Sequence, residues 1–407
     1  MTTKIIFHID VNNAFLSWSA VKYLQSGQKL DIRTIPSIIG GDEKTRRGIV
    51  LAKSPIAKKY GIQTAETIYA AKKKCPTLKV YPADYRFYYQ KSRELMEYLS
   101  SYSPSLEQLS VDECFLDMTG MNYLYENLIE LAYKIKKEIK EKFGYTVNIG
   151  IANNKLCAKM ASDFEKPDKV HTLFSSEIEE KLWPLDVRDL YMCGKKTSER
   201  LHKLGIHTIG DLAKANEKLL EKEFKTQGIY LKRAAMGIDD SKVEKHQSKN
   251  PSISISETLP YDYDQIEKIK EILFRQVEEL SRELRSKKLY TKTVTITFKN
   301  QHFQQYSAQT TIENPTNQTK DLLNISYHLL EKNYRGDFIR LVGVKLSGLT
   351  SKKSQQINLF KPIDHQESDN IQETIDSINN KFGKSIIKPA SLEMIGESKS
   401  KKSLKDE

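Results

Sequence analysis

Apolar positions along the chain alternate between strand-like and helix-like spacing. The run Ile5-Ile6-Phe7-His8-Ile9-Asp10-Val11 is almost wholly apolar until Asp10, which predicts a buried strand carrying a carboxylate near its C-terminal end. Ala14–Leu24 predicts a short helix. A small mixed segment runs from Asp31 to about Tyr81, with strands expected at Arg33–Ile39 and Gly48–Ala52. It also holds a turn at Gly40-Gly41-Asp42 and a basic helical stretch at Ile56–Lys59. Tyr85–Ser101 has helical spacing of aromatic, Leu and Met residues. Leu109, Val111, Phe115 and Leu116 surround Asp112 and Glu113 and predict a second carboxylate-bearing strand. Tyr123–Phe143 predicts an amphipathic helix with Leu128, Leu131, Ile135 and Ile139 on one side. A strand at Thr146–Ala152 and a helix at Lys155–Phe164 complete an α+β unit ending near Pro167.

The remaining chain changes character twice. Ser175–Met236 is helix-rich, and Asp239–Ser256 is polar, contains Pro251 and reads as a linker. From Ile255 to Leu349 the order is strand, helix, strand, strand, helix, strand. The helices are expected at Ile266–Leu284 and Thr319–Leu330, and three of the strands at Lys292–Lys299, Tyr306–Ile312 and Leu341–Leu346. After Ser351 apolar residues become sparse, so the tail is expected to be largely disordered.

With 407 residues the chain has room for two to four domains. A formal net charge of +12 favours a polyanionic partner. The four cysteines, Cys75, Cys114, Cys157 and Cys193, form no CxxC pair, which argues against a zinc cluster or disulfide framework. No signal-peptide pattern or membrane-length apolar stretch is present, so a cytoplasmic location is expected.

If the strand of Asp10 neighbours that of Asp112 and Glu113, three carboxylates converge, and they require a cation in a partly dry site. Oxygen-only ligands suit hard divalent ions, and Mg²⁺ commonly serves phosphate chemistry. An Asp-Glu pair is also often a solvated turn, and adjacent strand residues face opposite ways. Both serve one site only at a strand end or hairpin turn. Lys53, Lys58, Lys59 and Lys166 are candidate triphosphate clamps, although each alone reads as a solvated lysine. Phe15 alone reads as core. The Leu201–Leu212 segment, centred on Gly205, has the pattern of the second half of a helix-hairpin-helix. Cys193-Gly194-Lys195-Lys196 supplies only part of a first hairpin. Arg275, Arg282, Arg285, Lys287, Lys288, Lys292 and Lys299 form either a solvated face or a phosphate-tracking surface. Gln356-Ile357-Asn358-Leu359-Phe360 is an apolar cluster in the polar tail, either a docking peptide or a short capping strand.

Together these residues resemble the Y family of translesion DNA polymerases, nearest its bacterial UmuC/DNA polymerase IV group. The resemblance spans about residues 4–350 and the tail peptide. It rests on four ordered motifs: Ile9–Phe15, Ser110–Asp117, Asn148–Lys159 and Ser162–Pro167. It implies a multidomain α+β right hand. The palm would occupy 1–170 with small fingers inserted at about 24–80. A helical thumb would span 171–238, a linker 239–254, the little finger 255–350, and a tail 351–407 would carry the clamp-binding peptide 356–360.

Carried over, Asp10, Asp112 and Glu113, with the Val11 carbonyl, would hold two Mg²⁺ ions, and Lys166 and Lys58 would contact the triphosphate. Phe15 would be a steric gate against ribose. Gly194, Lys195, Gly205, Arg285 and Lys292 would contact DNA, and Gln356, Leu359 and Phe360 would bind the sliding (beta) clamp. A monomer acting on primer–template DNA and dNTPs at low fidelity is implied. The chain departs from the family at Ser54-Pro55-Ile56-Ala57-Lys58, which lacks the tyrosine that many relatives place beside the triphosphate, and in its glycine-poor thumb. A two-metal nuclease or phosphatase, or a non-catalytic DNA-binding accessory protein, are the rival readings.

Overall fold

The computed structural model describes residues 4–41, 48–244, 252–351, 374, 377–378 and 381. The peptide Gln356–Phe360 lies outside the described residues. The chain folds as two compact units, one from the described residues up to 244, the other from 252 onward.

In the first unit, β1 (Ile6–Val11) is buried along its whole length because it is the middle strand of five. It pairs antiparallel with β6 (Glu113–Asp117) on one side and β7 (Val147–Ala152) on the other. The outer strands are β5 (Leu106–Gln108) and β8 (Val170–Leu173), giving the order β5-β6-β1-β7-β8. Phe7, Ile9 and Val11 share one core with residues of α1 (Ala14–Gln25), α4 (Tyr85–Ser100) and α5 (Leu128–Phe143). Ile6 and Phe115 face the other way, into a core shared with α6 (Lys155–Asp163). Burial on both faces explains the unbroken apolar run of β1. Asp10 shares the α6 face with His8, two residues back.

A smaller sheet joins β2 (Ser37–Gly40), β3 (Val50–Lys53) and β4 (Lys79–Pro82), accompanied by α2 (Pro55–Lys59) and α3 (Ile68–Lys74). Ser54 caps α2 through the Ala57 N–H, with Pro55 in the first turn. Four helices follow: α7 (Lys195–Lys203), α8 (Ile209–Lys214), α9 (Glu217–Phe224) and α10 (Thr226–Ala235). Gly205 turns the chain between α7 and α8 with φ +79°, a conformation that favours glycine.

The second unit runs β9 (Ser252–Tyr263), α11 (Ile266–Ser286), β10 (Thr291–Asn300), β11 (Gln305–Thr316), α12 (Thr319–Asn333) and β12 (Ile339–Ser347). Its antiparallel sheet has the order β11-β10-β12-β9, and residues of both helices pack with it in one core.

Several boundaries differ from those expected. The Arg33–Ile39 segment opens as a tight turn at Ile32–Thr34, and its strand is Ser37–Gly40. Leu128 rather than Tyr123 begins α5, because Asn127 caps it by accepting from the Ile129 and Glu130 N–H groups. The strand expected through Val111 starts only at Glu113, where the chain leaves a hairpin turn. Polar Ser252–Ser256, expected to be largely linker, belongs to β9, with Ile253 and Leu259 in the core.

Candidate active site

The α6 face of the large sheet gathers the predicted carboxylates. Asp10 lies directly opposite Glu113 across the β1–β6 ladder. Such a pair sets its β-carbons about 4.5–5.5 Å apart on one face. Asp112 precedes the strand on the hairpin turn, and its carbonyl accepts the Val11 N–H at 3.0 Å. A turn position frees Asp112 from the strand rule that adjacent side chains oppose each other. Its carboxylate is oriented by the Ser110 hydroxyl at 2.6 Å.

Two lysines offset part of this negative charge. Lys166 donates to Asp10 and also to Asp163, the latter at 2.8 Å. Lys159, buried on α6, donates to Glu113 at 2.7 Å. Burial pushes the Asp10 carboxyl up to about 6; Lys166 opposes this and the charges of Glu113 and Asp112 add to it. The Asp10 environment therefore favours added positive charge. Among the described residues, no three His, Cys, Asp or Glu side chains close around one point as a ready metal cage. Asp10 and Glu113 are each turned to their own ammonium group instead. The donors present are hard oxygens at adjoining strand ends, a chemistry that fits hard divalent cations such as Mg²⁺.

Helix α6 approaches the sheet closely because β7 carries Gly150 at the crossing. Beneath the site, His8 Nδ1 and Ser162 Oγ lie 2.8 Å apart, and the Ser162 hydroxyl donates to the Lys159 carbonyl at 2.7 Å. Ser162 has one proton, so Nδ1 is the donor to it. Burial, with the charges of Lys159 and Lys166, holds the His8 pKa well below its ordinary value.

Phe15, on the first turn of α1, is half-buried and stacks on Tyr88 of α4, with ring centroids 4.6 Å apart and planes 10° from parallel. Tyr85 meets the Phe15 ring edge-on at 6.1 Å. Tyr88 is itself fixed by a 2.6 Å hydrogen bond with Ser19. Lys58 is exposed on the last turn of α2.

Other predicted residues lie apart from this cluster in the sequence of elements. Gly194 starts α7, Lys195 is exposed beside Glu199, and Gly205 forms the α7–α8 turn. In the second unit, Lys292 is exposed on β10. The Arg285 guanidinium donates to the Asn317 carbonyl at 2.8 Å and to Thr319, so it joins the end of α11 to the start of α12. Sequence reasoning gave no role to Lys159, Tyr88 or His8.

Comparison with known proteins adds independent findings. The model described as the impB/mucB/samB family matches residues 9–163, its C-terminal domain matches 250–359, and the IMS family HHH motif matches 175–206. The chain is 42% identical over 385 residues to a DNA polymerase IV from Clostridium acetobutylicum, covering 95% of this chain and 97% of that protein. It is 31% identical over 402 residues to DNA polymerase IV 1 of Bacillus subtilis, covering 98% and 95%. Among solved structures, a Y-family DNA polymerase chimera, Dbh-Dpo4(243-245)-Dbh, superimposes with a TM-score of 0.74 at 25% identity, over 86% of this chain and all of that one. An insertion ternary complex of Dbh DNA polymerase gives 0.60 at 26% identity, over 84% and 98%.

Proposed function

The chain belongs to the impB/mucB/samB family of Y-family DNA polymerases, and we propose from that premise how its own residues carry out translesion DNA synthesis. The observation that carries the reading is the facing of Asp10 and Glu113 across the β1–β6 ladder, with Asp112 on the adjoining turn. Asp10, Asp112 and Glu113, with the Val11 carbonyl, would hold two Mg²⁺ ions. When bound, these supply the charge that activates a primer 3′-hydroxyl and stabilises departing pyrophosphate.

The protein's own residues do the rest. Lys166 reaches the carboxylates from the Asp163–Lys169 segment and is long enough to turn to a triphosphate when a cation replaces it on Asp10. Lys58 supplies a second ammonium from α2. Positive charge fixed at both sides of a triphosphate orients it for in-line attack. The Phe15 ring, backed face-on by Tyr88, cannot yield to a 2′-hydroxyl, and so selects deoxynucleotides.

In this reading the palm takes 1–170 with fingers at about 24–80, the thumb 171–238 and the little finger 255–350. The linker is best shortened to end before β9 at Ser252. Gly194, Lys195, Gly205 and Lys292 are the proposed phosphate-backbone contacts, whereas the internal bonds of Arg285 give it a structural part as well. Gln356, Leu359 and Phe360 would dock on a sliding clamp, raising the effective concentration of enzyme at the primer end. Four free, buried cysteine thiols suit a reducing cytoplasm. Among the described residues no helix is long and apolar enough to cross a membrane.

The test is primer extension with Mg²⁺ and dNTPs, comparing wild type with Asp112→Ala/Glu113→Ala. Extension by wild type alone supports the assignment. Equal extension by both proteins would remove the carboxylates from the chemistry.

A further inference from the structure

Beside Asp10, across β1 from Glu113 and on the same face of the sheet, lies a buried pair of amides that the mechanism above does not use. Asn148 of β7 is the register partner of Asp10 and is fully buried. Its Oδ1 accepts from Asn12 Nδ2 at 3.0 Å and from the Lys169 N–H at 3.3 Å. Its Nδ2 donates to the Ser162 carbonyl at 3.0 Å and to the Glu165 carbonyl at 2.7 Å. Two bonds received and two given fill the capacity of one amide. Asn12 extends the network, its Oδ1 accepting the Asp168 N–H at 2.9 Å and the Thr146 hydroxyl at 2.9 Å.

We infer that Asn148, with Asn12, is the positioning hub that fixes the backbone around Lys166 and so sets where its ammonium group can reach. The hub grips the chain at Ser162 and Glu165 before Lys166, and at Asp168 and Lys169 after it. A lysine side chain has many rotamers, worth about 2 kcal/mol of entropy, so it cannot define its own position. Definition must come from the backbone that carries it. A fully satisfied buried network supplies that rigidity, and one with a member missing does not. The inference rests on the assignment of Lys166 to the nucleotide triphosphate.

Three variants of the full-length protein separate the possibilities: Asn148→Ala, Lys166→Ala and Ile139→Val. The last is a buried α5 substitution on the opposite face of the sheet that serves as a stability control. Asn148→Ala is expected to raise KM for dNTP about tenfold, the effect of losing one or two net hydrogen bonds, while the Kd for primer–template stays within about twofold. Amide hydrogen exchange at Asp168 and Lys169 should quicken in the same variant, without dNTP or metal present. If Asn148→Ala does not fold, Asn148→Ser, which keeps a smaller hydrogen-bonding group, replaces it with the same expected direction. An unchanged KM in a folded Asn148 variant, alongside a raised KM in Lys166→Ala, would overturn the hub and leave the lysine assignment standing. An unchanged KM in Lys166→Ala would overturn the lysine assignment and the inference with it. An equal rise in Ile139→Val would also overturn it, because lost stability alone would then account for the effect.

Discussion

Replacing Gly150 with alanine probes how tightly α6 must sit on the sheet. An added methyl group would stand 1.9 Å from the Ala158 carbonyl oxygen, 2.5 Å from the Ser162 nitrogen and 3.0 Å from the Ala158 carbonyl carbon. All three are backbone atoms, so no change of rotamer relieves the overlap. A carbon–oxygen contact needs about 3.3 Å, so helix and strand must separate by roughly 1.4 Å. Overpacking of this kind costs about 1–3 kcal/mol, and the upper end applies because the whole helix has to move. For a unit of this size, about 3 kcal/mol lowers Tm by roughly 6–12 °C. Function should suffer further, because α6 brings Lys159 to Glu113, and a displacement of about 1 Å at a reacting site can cost about a hundredfold in rate. Differential scanning calorimetry reads the first quantity, and primer extension well below the transition reads the second. Gly194→Ala is the control for the calorimetric quantity alone. No atom lies within 4 Å of its added methyl group, and the change at this N-cap should cost no more than about 1 kcal/mol. A Gly150→Ala protein that melts within about 2 °C of wild type and extends primers normally would refute the packing account.

Three other outcomes are expected. Phe15→Ala should raise ribonucleotide incorporation in single-nucleotide insertion assays with little change in DNA binding; unaltered sugar selectivity would remove Phe15 from the gate. Deleting Gln356–Phe360 should spare synthesis on short templates and abolish stimulation by a sliding clamp, and equal stimulation after deletion would defeat the docking assignment. Burial pushes the Asp168 carboxyl up, but hydrogen bonds from Lys136 and Lys140 outweigh it and leave the group below its ordinary value. A depressed carboxylate stabilises the fold above its unfolded pKa of about 3.9 and loses that contribution as pH falls through the folded value. The Tm difference between wild type and Asp168→Asn should therefore be constant near neutrality and narrow below about pH 4, whereas a constant difference down to about pH 3 would contradict the ion pairing.

The second unit was legible almost element by element. Its strands alternate and its helices are strongly amphipathic, so local pattern and final packing agree. The polar start of β9 was missed because its Ser residues alternate with apolar ones over too few positions to outweigh Pro251 and the neighbouring polar run. The short strand β4 was also obscure, being mostly exposed and ending in a proline. In the site, Asp10, Asp112 and Glu113 were visible because charge inside apolar runs is costly and so conspicuous. Lys159 and Asn148 bound one of the four motifs, but their roles were not visible, because each looks ordinary in sequence. Their significance comes from a partner forty or more residues away, or from backbone carbonyls that any sequence would supply.

The central place of β1 has a consequence for how the protein is made. Ile6–Val11 leaves the ribosome before its ladder partners, which extend to Asp117 and Ala152. At about 5–20 residues per second, that apolar strand waits roughly 5–20 s for β6 with neither edge occupied, and up to roughly 30 s for β7. Until β6 and β7 emerge it is an adhesive segment, open to holdase chaperones or to a neighbouring nascent chain. Interrupted translation products that stop short of β6 carry Asp10 without Glu113 opposite it, so an incomplete copy lacks the carboxylate pair on which the proposed chemistry depends.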